Sequence, residues 1–135
     1  SCDVGRKGCD SVVCVVKVVP QSMGQAIKSL VNIYTMSDMH FEDQAIRLKT
    51  LYYLYKARRL VIDANGVGLG LVDYMVKPQE DVATGAHLPD FNVYGGTQAD
   101  TIEEYKRFRT DETQENAMYL IKAHAPENTE AHANF

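Results

Sequence analysis

The sequence lacks the features that would mark a membrane protein, a secreted disulfide protein or a basic nucleic-acid-binding protein. Its longest apolar run, residues 12–19, is interrupted by a lysine and is too short to span a bilayer as a helix. Cys2, Cys9 and Cys14 are odd in number without CxxC spacing, and the first residues lack the order of a signal peptide, which favours a reducing compartment. The formal net charge of −4 gives no basic excess from which binding to phosphate could be inferred.

The composition that remains is typical of one globular domain. The chain has 135 residues, of which 45% are apolar and 24% are charged, with both signs present. This length and mixture suit a domain with its own hydrophobic core rather than a disordered segment. Because no internal repeat or low-complexity tract divides the chain, we predict a single domain over residues 1–135.

The first part of the chain carries the signals of a β-hairpin. Residues 11–19, "SVVCVVKVV", are mostly β-branched and apolar on both faces, which predicts a buried strand. Residues 20–24, "PQSMG", have turn chemistry. Residues 29–36, "SLVNIYTM", are suited to pair antiparallel with the first strand.

A helix and then a strand, a glycine loop and a second helix follow the hairpin. Residues 41–57 place apolar side chains at three- and four-residue steps, which predicts an amphipathic helix capped near Asp38. Residues 59–63 are typical of a short strand, and residues 70–76 of a helix. This order predicts an α/β fold in which residues 59–63 join the sheet of the hairpin in the parallel sense, through a right-handed crossover.

The second half of the sequence is less regular. Residues 78–100 hold few periodic apolar positions, which predicts a long surface loop. Residues 101–108 predict a short helix, and residues 117–123, "AMYLIKA", predict a last strand. Both ends of the chain look truncated, since Asp3 has only two residues before it and "NTEAHANF" resembles the first turn of a helix.

The glycine-rich segment "NGVGLG" has two interpretations. A dinucleotide-binding loop requires G-x-G-x-x-G between a strand and a helix. Gly66 and Gly68 satisfy the first two positions, whereas Leu71 occupies the third and Gly70 lies one residue early. No G-x-x-x-x-G-K-[ST] phosphate loop is present. The pattern favours glycines that permit a sharp turn and close helix packing, and a non-catalytic or nucleotide-binding α/β module that uses this loop remains the alternative function.

Three acidic residues are placed where they could meet at one edge of the sheet. Asp63 follows the apolar residues 60–62, and a carboxylate in such a position is costly without a partner or a cation. Asp3 and Asp10 flank a glycine-containing segment, near the open ends of a possible tight hairpin. Clustered carboxylates need a cation, and hard oxygen ligands select Mg²⁺ or Mn²⁺. Two such ions about 4 Å apart would suit phosphodiester hydrolysis.

Three segments of the chain resemble a known family. They are "CDVGRKGCDSVVCVVKVVPQ", "HFEDQAIRLKTLYYLYKARRLVIDANGVGLGLVDYMV" and "NAMYLIKAHAPENTEAH". They look like the C-terminal nuclease domain of the large terminase subunit of tailed bacteriophages. The most specific element is a strand that ends in Asp63, followed by Asn-Gly-x-Gly-x-Gly and a helix with Asp73. The resemblance implies a ribonuclease H-like mixed sheet with flanking helices, truncated at both ends.

The resemblance also implies an activity, partners and site residues. Such domains cut concatemeric double-stranded DNA with divalent metals during genome packaging in the cytoplasm of the infected bacterial host. They work with the terminase ATPase domain, the small terminase subunit and the portal. Asp3 matches the first-strand acid that contacts both metals, and Asp63 matches the acid at the end of the fourth strand. Asp10 matches a neighbouring acid that is a ligand or a support for the ligands.

The chain departs from this family in one acidic ligand. Family members draw a further acid from a helix near the C-terminus, and no residue of this chain matches it. Asp111 lies in a polar segment, "RFRTDETQEN", that is typical of a solvated cap. We therefore expect this chain alone to bind metal weakly and to cut poorly.

Five basic residues are candidates for contact with a DNA backbone. They are Arg6, Lys7, Lys106, Arg107 and Arg109. Their charge suits a phosphate backbone and equally a solvent-exposed face. With so few basic groups, no base-specific readout is expected.

Overall fold

The chain folds as a mixed β-sheet with helices packed against it. The computed structural model describes residues 2–3, 10–64, 68–107 and 115–122, with residues 2, 3 and 10 described by their backbone alone. The strands of this part are β1 Cys2–Asp3, β2 Asp10–Val19, β3 Ile27–Ser37, β4 Leu60–Asp63, β5 Gln79–Glu80, β6 His87–Leu88, β7 Phe91–Gly96 and β8 Glu115–Ile121. The helices are α1 Phe41–Leu54, α2 Gly68–Met75 and α3 Ala99–Lys106. The predicted α/β class is confirmed.

The predicted hairpin of β2 and β3 is confirmed. The two strands pair antiparallel along the whole of β2, with Asp10 opposite Ser37 at the open end. β-branched residues fit the pleated backbone of a strand, which is why this segment was recognisable. Gly24, between the strands, has a φ of 87°, a conformation that glycine adopts without steric cost.

Six of the strands form one sheet, in the order β3-β2-β1-β4-β8-β7. β1 runs antiparallel to β2 and parallel to β4, and β4, β8 and β7 are parallel to one another. The prediction that residues 59–63 join this sheet in the parallel sense is confirmed. β5 and β6 form a separate antiparallel pair.

The hydrophobic core lies between this sheet and the first two helices. α1 and α2 pack against each other. The core cluster includes Leu48 of α1, Leu71 of α2 and Ile62 of β4, and each of these is at most 1% exposed. The apolar positions that predicted the two helices are therefore the ones that hold them to the sheet.

The predicted cap of α1 near Asp38 is wrong. The helix begins at Phe41, and its N-cap residue, His40, makes no side-chain capping hydrogen bond. Asp38 has a φ of 53°, in the left-handed region, which aspartate adopts more readily than most residues. Asp38 thus shapes the turn before the helix. The helix also ends earlier than predicted, at Leu54, and Lys56 turns the chain with a φ of 51°.

The predicted long surface loop over residues 78–100 is wrong. This region contains β5, β6 and β7, and α3 begins at Ala99. Phe91 and Val93 of β7 are buried, although the strand is short and ends in two glycines. β7 is stabilised by its parallel pairing with β8, a non-local contact that the local sequence does not reveal.

A buried lysine holds the start of this region to α1. The Nζ atom of Lys49 donates hydrogen bonds to the carbonyl oxygen of Lys77, at 2.7 Å, and to Oε1 of Gln79. Burial lowers the pKa of Lys49 to about 8, although the Asp90 carboxylate acts in the opposite direction. These hydrogen bonds fix the course of the chain after α2, where the sequence predicted a loop.

Candidate functional site

The candidate site lies at the edge of the sheet where parallel strands end. β1, β4, β8 and β7 run in one direction, so their last residues share this edge, which we call the carboxyl edge. In open α/β sheets, ligands bind outside the carboxyl ends of the strands. Asp3 is the last residue of β1, and Asp63 is the last residue of β4.

The register of the sheet sets Asp3 beside Asp63. Cys2 of β1 pairs with Ile62 of β4 in the parallel sense, so the next residue on each strand is an acid. Neighbouring strands lie about 4.8 Å apart, which makes the two backbones close neighbours. Asp63 is half-buried, as expected for an acid at the end of an apolar strand.

Asp10 lies toward the same edge, on the opposite side of β1. β2 begins at Asp10 and runs antiparallel to β1, and Asp3 pairs with Val12. Asp10 therefore lies two residues before Val12 on β2, past the end of β1 at the carboxyl edge. Among the side chains that the structure describes, no three of His, Cys, Asp and Glu form a metal-binding group. The side chains of Asp3 and Asp10, and the whole of Asp111, lie outside this description.

Polar groups from β8 and from the segment after β7 adjoin Asp63. Ile121 of β8 pairs with Asp63, and its carbonyl oxygen accepts a hydrogen bond from the Ala64 N–H at 2.8 Å. The backbone N–H of Lys122 donates to Oγ1 of Thr97 at 3.0 Å. A small pocket is present at this point, and its lining residues are Ala64, Thr97, Gln98, Thr101, Leu120, Ile121 and Lys122. Thr97, Gln98 and Lys122 thus lie at the carboxyl edge, in the part of the sheet where β4 ends.

The sequence analysis did not identify Thr97, Gln98 or Lys122 as site residues. Thr97 and Gln98 belong to the region that was predicted to be a loop. Lys122 directly follows the last apolar residues of β8, and that position was visible in the sequence. The sequence alone does not show that β8 lies next to β4. This strand order is what brings Lys122 close to Asp63.

Gly68 and Gly70, the two glycines of the segment that the structure describes, allow close packing. A Cβ atom on Gly68 would lie 1.9 Å from the carbonyl oxygen of Asp63, and one on Gly70 would lie 2.5 Å from Cε2 of Phe41. Real Cβ atoms essentially never approach other atoms this closely. Gly68 therefore lets α2 begin directly against the end of β4, and Gly70 lets α1 and α2 pack together. Gly66 lies outside the described residues.

Asp73, the acid of the helix in the resembling motif, is bonded to α3. Its Oδ1 atom accepts a hydrogen bond from the hydroxyl of Tyr105 at 2.7 Å. Burial raises the pKa of Tyr105, and the hydrogen bond to Asp73 raises it further. Asp73 thus joins α2 to α3, which is a structural role.

Two of the five candidate basic residues fall within the described part of the chain. Lys106 and Arg107 are exposed at the end of α3, and Nζ of Lys106 forms an ion pair with Oε1 of Glu103 at 3.1 Å. α3 packs against β7, which is two strands away from β4 in the sheet. DNA contact by Lys106 and Arg107 stays a prediction. The remaining three, Arg6, Lys7 and Arg109, lie outside the described residues.

Comparisons with known proteins give no relative of this chain. No family model, no curated protein and no solved structure matches it significantly. In residues 2–3, 10–64, 68–107 and 115–122, no helix is both long enough and apolar enough to cross a membrane. Its function has to be inferred from its own residues.

Proposed function

We propose that this chain is a divalent-metal-dependent DNA endonuclease domain with a ribonuclease H-like fold, of the kind that the large terminase subunit carries. The observation that carries this proposal is the parallel pairing of Cys2 with Ile62, which brings Asp3 and Asp63 side by side. A mixed sheet with packed helices also agrees with the fold that the resemblance implies. The acids lie at the edge of the sheet where α/β proteins bind their ligands.

The residues at the carboxyl edge fit a pair of Mg²⁺ or Mn²⁺ ions. Asp3 and Asp63 would hold the ions, with Asp10 as a further ligand, because these cations prefer carboxylate oxygens. Bound there, the ions would activate a water molecule and stabilise the leaving oxygen of a phosphodiester. Asp63 is half-buried, so its carboxylate is incompletely solvated and would be stabilised by a bound cation.

Lys122 and Thr97 would orient the phosphate of the substrate. Lys122 lies one residue beyond the partner of Asp63 on β8, and it lines the small pocket together with Thr97. An ammonium group at this point attracts a phosphate oxygen, which carboxylates alone would repel. In this arrangement the acids bind the cations, and the lysine and threonine bind the nucleic-acid backbone.

The substrate of such a domain is concatemeric double-stranded phage DNA, cut during genome packaging in the cytoplasm of an infected bacterium. The protein partners would be the terminase ATPase domain, the small terminase subunit and the portal. Contacts with phosphate, rather than with base edges, would position the DNA. The candidates for further backbone contacts are Arg6, Lys7, Lys106, Arg107 and Arg109.

A nucleotide-binding module is less well supported by the geometry. Gly68 and Gly70 both lie against other atoms of the protein, so their lack of a side chain is explained by packing. Leu71 occupies the third glycine position of a dinucleotide loop, and it is buried in the core. These contacts favour the structural interpretation of the loop.

Titration of the chain with Mn²⁺ by isothermal calorimetry tests the proposed metal site. We expect saturable, weak binding by the wild type, and at least tenfold weaker binding by Asp63→Asn, because the amide preserves the shape of the side chain and removes its charge. The matched control is Asp100→Asn, the same chemical change at an exposed acid on α3, which should leave the affinity unchanged. Equal affinities of the wild type and Asp63→Asn, or no saturable binding at all, would contradict the site.

Cleavage of supercoiled plasmid DNA with Mn²⁺ provides the functional measurement for the same variants. We expect slow nicking that EDTA stops, that Asp63→Asn abolishes and that Asp100→Asn retains. Fast cleavage by this chain would contradict the expectation that it lacks one acidic ligand. Nicking that persists in Asp63→Asn would rule out Asp63 as a catalytic residue.

A further inference from the structure

An open depression lies between α3 and the strands β7 and β8. Its volume is about 460 Å³, within the range of about 300–1,000 Å³ that is typical of ligand clefts. Tyr94, Gly95 and Gly96 of β7 and Tyr119 of β8 line it from the sheet, and Lys106 is among the residues that line it from α3. The depression is separate from the small pocket beside Thr97.

Two tyrosine rings lie side by side in this depression. The ring centroids of Tyr94 and Tyr119 are 5.6 Å apart, and the ring planes are inclined by 46°. Both residues are half-buried. Neither belongs to the described core cluster, or to the partly buried side chains that pack against it. Part of the aromatic surface of these rings therefore stays in contact with solvent, where a planar group can stack on it.

A glycine on the neighbouring strand makes room for one of the rings. Gly95 pairs with Tyr119, and a Cβ atom on Gly95 would lie 3.3 Å from both Cδ2 and Cε2 of the Tyr119 ring. Such a distance is tighter than nine in ten real Cβ contacts, so a side chain at position 95 would press on the ring. Gly95 thus lets the Tyr119 ring lie close to β7, beside Tyr94.

Positively charged groups adjoin the two rings. Arg59 is exposed directly before β4, and its guanidinium carbon lies 4.7 Å from the centroid of the Tyr94 ring. Lys106 is also exposed, and its Nζ atom lies 3.1 Å from Oε1 of Glu103, which lines the depression as well. An exposed ion pair of this kind contributes little to stability, so Lys106 can exchange the carboxylate for a phosphate at small cost.

Tyr119 lies on the same face of the sheet as Asp63. Val61 and Asp63 alternate with the buried residues of β4, which places them on the face away from the core. Tyr119 alternates in the same way with its buried neighbours on β8, and it pairs with Val61. Asp63 is two residues further along β4, so its backbone is about 8 Å from that of Tyr119. One nucleotide can reach from the first position to the second.

We propose that Tyr94 and Tyr119 form a platform on which one unpaired base of a DNA strand stacks, while Arg59 and Lys106 bind phosphates of the same strand. Aromatic side chains beside positive charge are what sites for single-stranded nucleic acid have in common. Stacking accepts every base, because every base has a π-face, so no base-specific readout is needed. In one respect this inference rests on the proposed function: with a phosphate at Asp63, the stacked base belongs to the nucleotide next to the cleaved bond. The substrate is then duplex DNA with one strand locally unpaired at the cut.

Binding of a fluorescent oligothymidine strand, measured by anisotropy in EDTA at low ionic strength, tests the platform without the metal site. The full chain should bind this strand at least fivefold more tightly than an abasic strand with the same phosphates, because stacking requires the bases. Tyr119→Leu should weaken binding of the oligothymidine strand at least fivefold, whereas Tyr119→Phe keeps the ring and should bind as the wild type does. The matched control is Tyr74→Leu, the same change at an exposed tyrosine of α2, which should leave the affinity unchanged.

Photocrosslinking of the wild type locates the base without any substitution, so it does not depend on the folding of a variant. A strand that carries 5-iodouracil crosslinks to aromatic side chains in contact with that base, and peptide mapping should find the link on Tyr94 or Tyr119. Links on other residues would overturn the proposal.

The platform and the nuclease can fail separately. Equal affinities for the thymidine and abasic strands, no saturable binding of either, or undiminished binding by Tyr119→Leu would each overturn the platform and leave the metal site unaffected. Base-dependent binding in EDTA by a chain that does not nick plasmid DNA with Mn²⁺ would contradict the nuclease and support the platform.

Discussion

The two ends of the hairpin formed by β2 and β3 are similar in sequence and opposite in environment. At the end near the carboxyl edge, Ser11, Val13 and Met36 are 0%, 4% and 3% exposed. Toward the turn, Val18 and Leu30 are 55% and 59% exposed. We call the part that contains Ser11, Val13 and Met36 the covered half, and the part toward the turn, which contains Val18 and Leu30, the open half. The described core cluster draws on the covered half and on α1, and it contains no residue of the open half.

Burial along these strands is decided by what packs over them rather than by their hydropathy. Both halves are rich in residues that favour strands, and the same antiparallel ladder runs through both. Only the covered half removes its apolar area from water, at about 25 cal/mol per Å². The same chemical change should therefore have a large effect in the covered half and a small effect in the open half.

The largest expected difference is between two truncations on β3. Met36→Ala, in the covered half, should lower the free energy of unfolding by about 2–5 kcal/mol, since it opens a cavity in the core. Leu30→Ala, in the open half, should change it by no more than about 0.5 kcal/mol. Urea unfolding followed by circular dichroism measures both values. Similar costs for the two substitutions would show that the open half is covered in solution.

The sequence was sufficient for the elements whose signals are local. The β-branched run of β2 and the three- and four-residue steps of α1 predicted both elements and the antiparallel hairpin. β7 was missed because its six residues, "FNVYGG", have no strong strand pattern and are held by β8, which lies more than twenty residues further along the chain. Local propensity does not report such a contact.

The candidate site was only partly predictable for the same reason. Asp63 could be placed at a strand end from the sequence, because an acid after an apolar run is visible there, whereas Asp3 was placed at the end of a first strand only by the family resemblance. Their side-by-side register, and the approach of Lys122, depend on the order β1-β4-β8. The cap of α1 was mispredicted at Asp38 because a left-handed turn and a helix cap use the same residue types.

The comparison of the two halves extends to pH, because α1, which is hydrogen-bonded to the covered half, carries a buried charge. Lys49 on α1 is fully buried, and its pKa is lowered from 10.5 in its ordinary state to about 8 in the folded chain. Below about pH 8 both states are protonated, and the cost of the buried charge is fully present. Above that value the unfolded state binds more protons, so the free energy of unfolding rises with pH, by about 2 kcal/mol between pH 7 and 9.5.

This pH effect is isolated by comparing two lysine substitutions. Lys49→Met removes the titrating group, so the rise with pH should be lost in that variant. Lys28→Met makes the same change at an exposed lysine of the open half and should keep the rise. Denaturant unfolding at pH 7, 8, 9 and 9.5 measures all three proteins. A wild-type slope equal to that of Lys49→Met would mean that the hydrogen bonds to Lys77 and Gln79 keep the ammonium as stable as it is in water.

The smallest expected difference concerns one hydroxyl group in each half. Ser11 is fully buried, and its hydroxyl donates a hydrogen bond to Oε1 of Gln44 at 2.6 Å, which ties β2 to α1. Ser11→Ala should cost about 1 kcal/mol, the usual net value of one such bond. Ser29→Ala, at an exposed position of the open half, should change the free energy of unfolding by less than about 0.5 kcal/mol. Because alanine is close to serine in size, the difference between the two variants reports mainly the polar contacts of the Ser11 hydroxyl, including its hydrogen bond to Gln44. If Ser11→Ala is as stable as Ser29→Ala, the contact between β2 and α1 depends on its apolar neighbours alone.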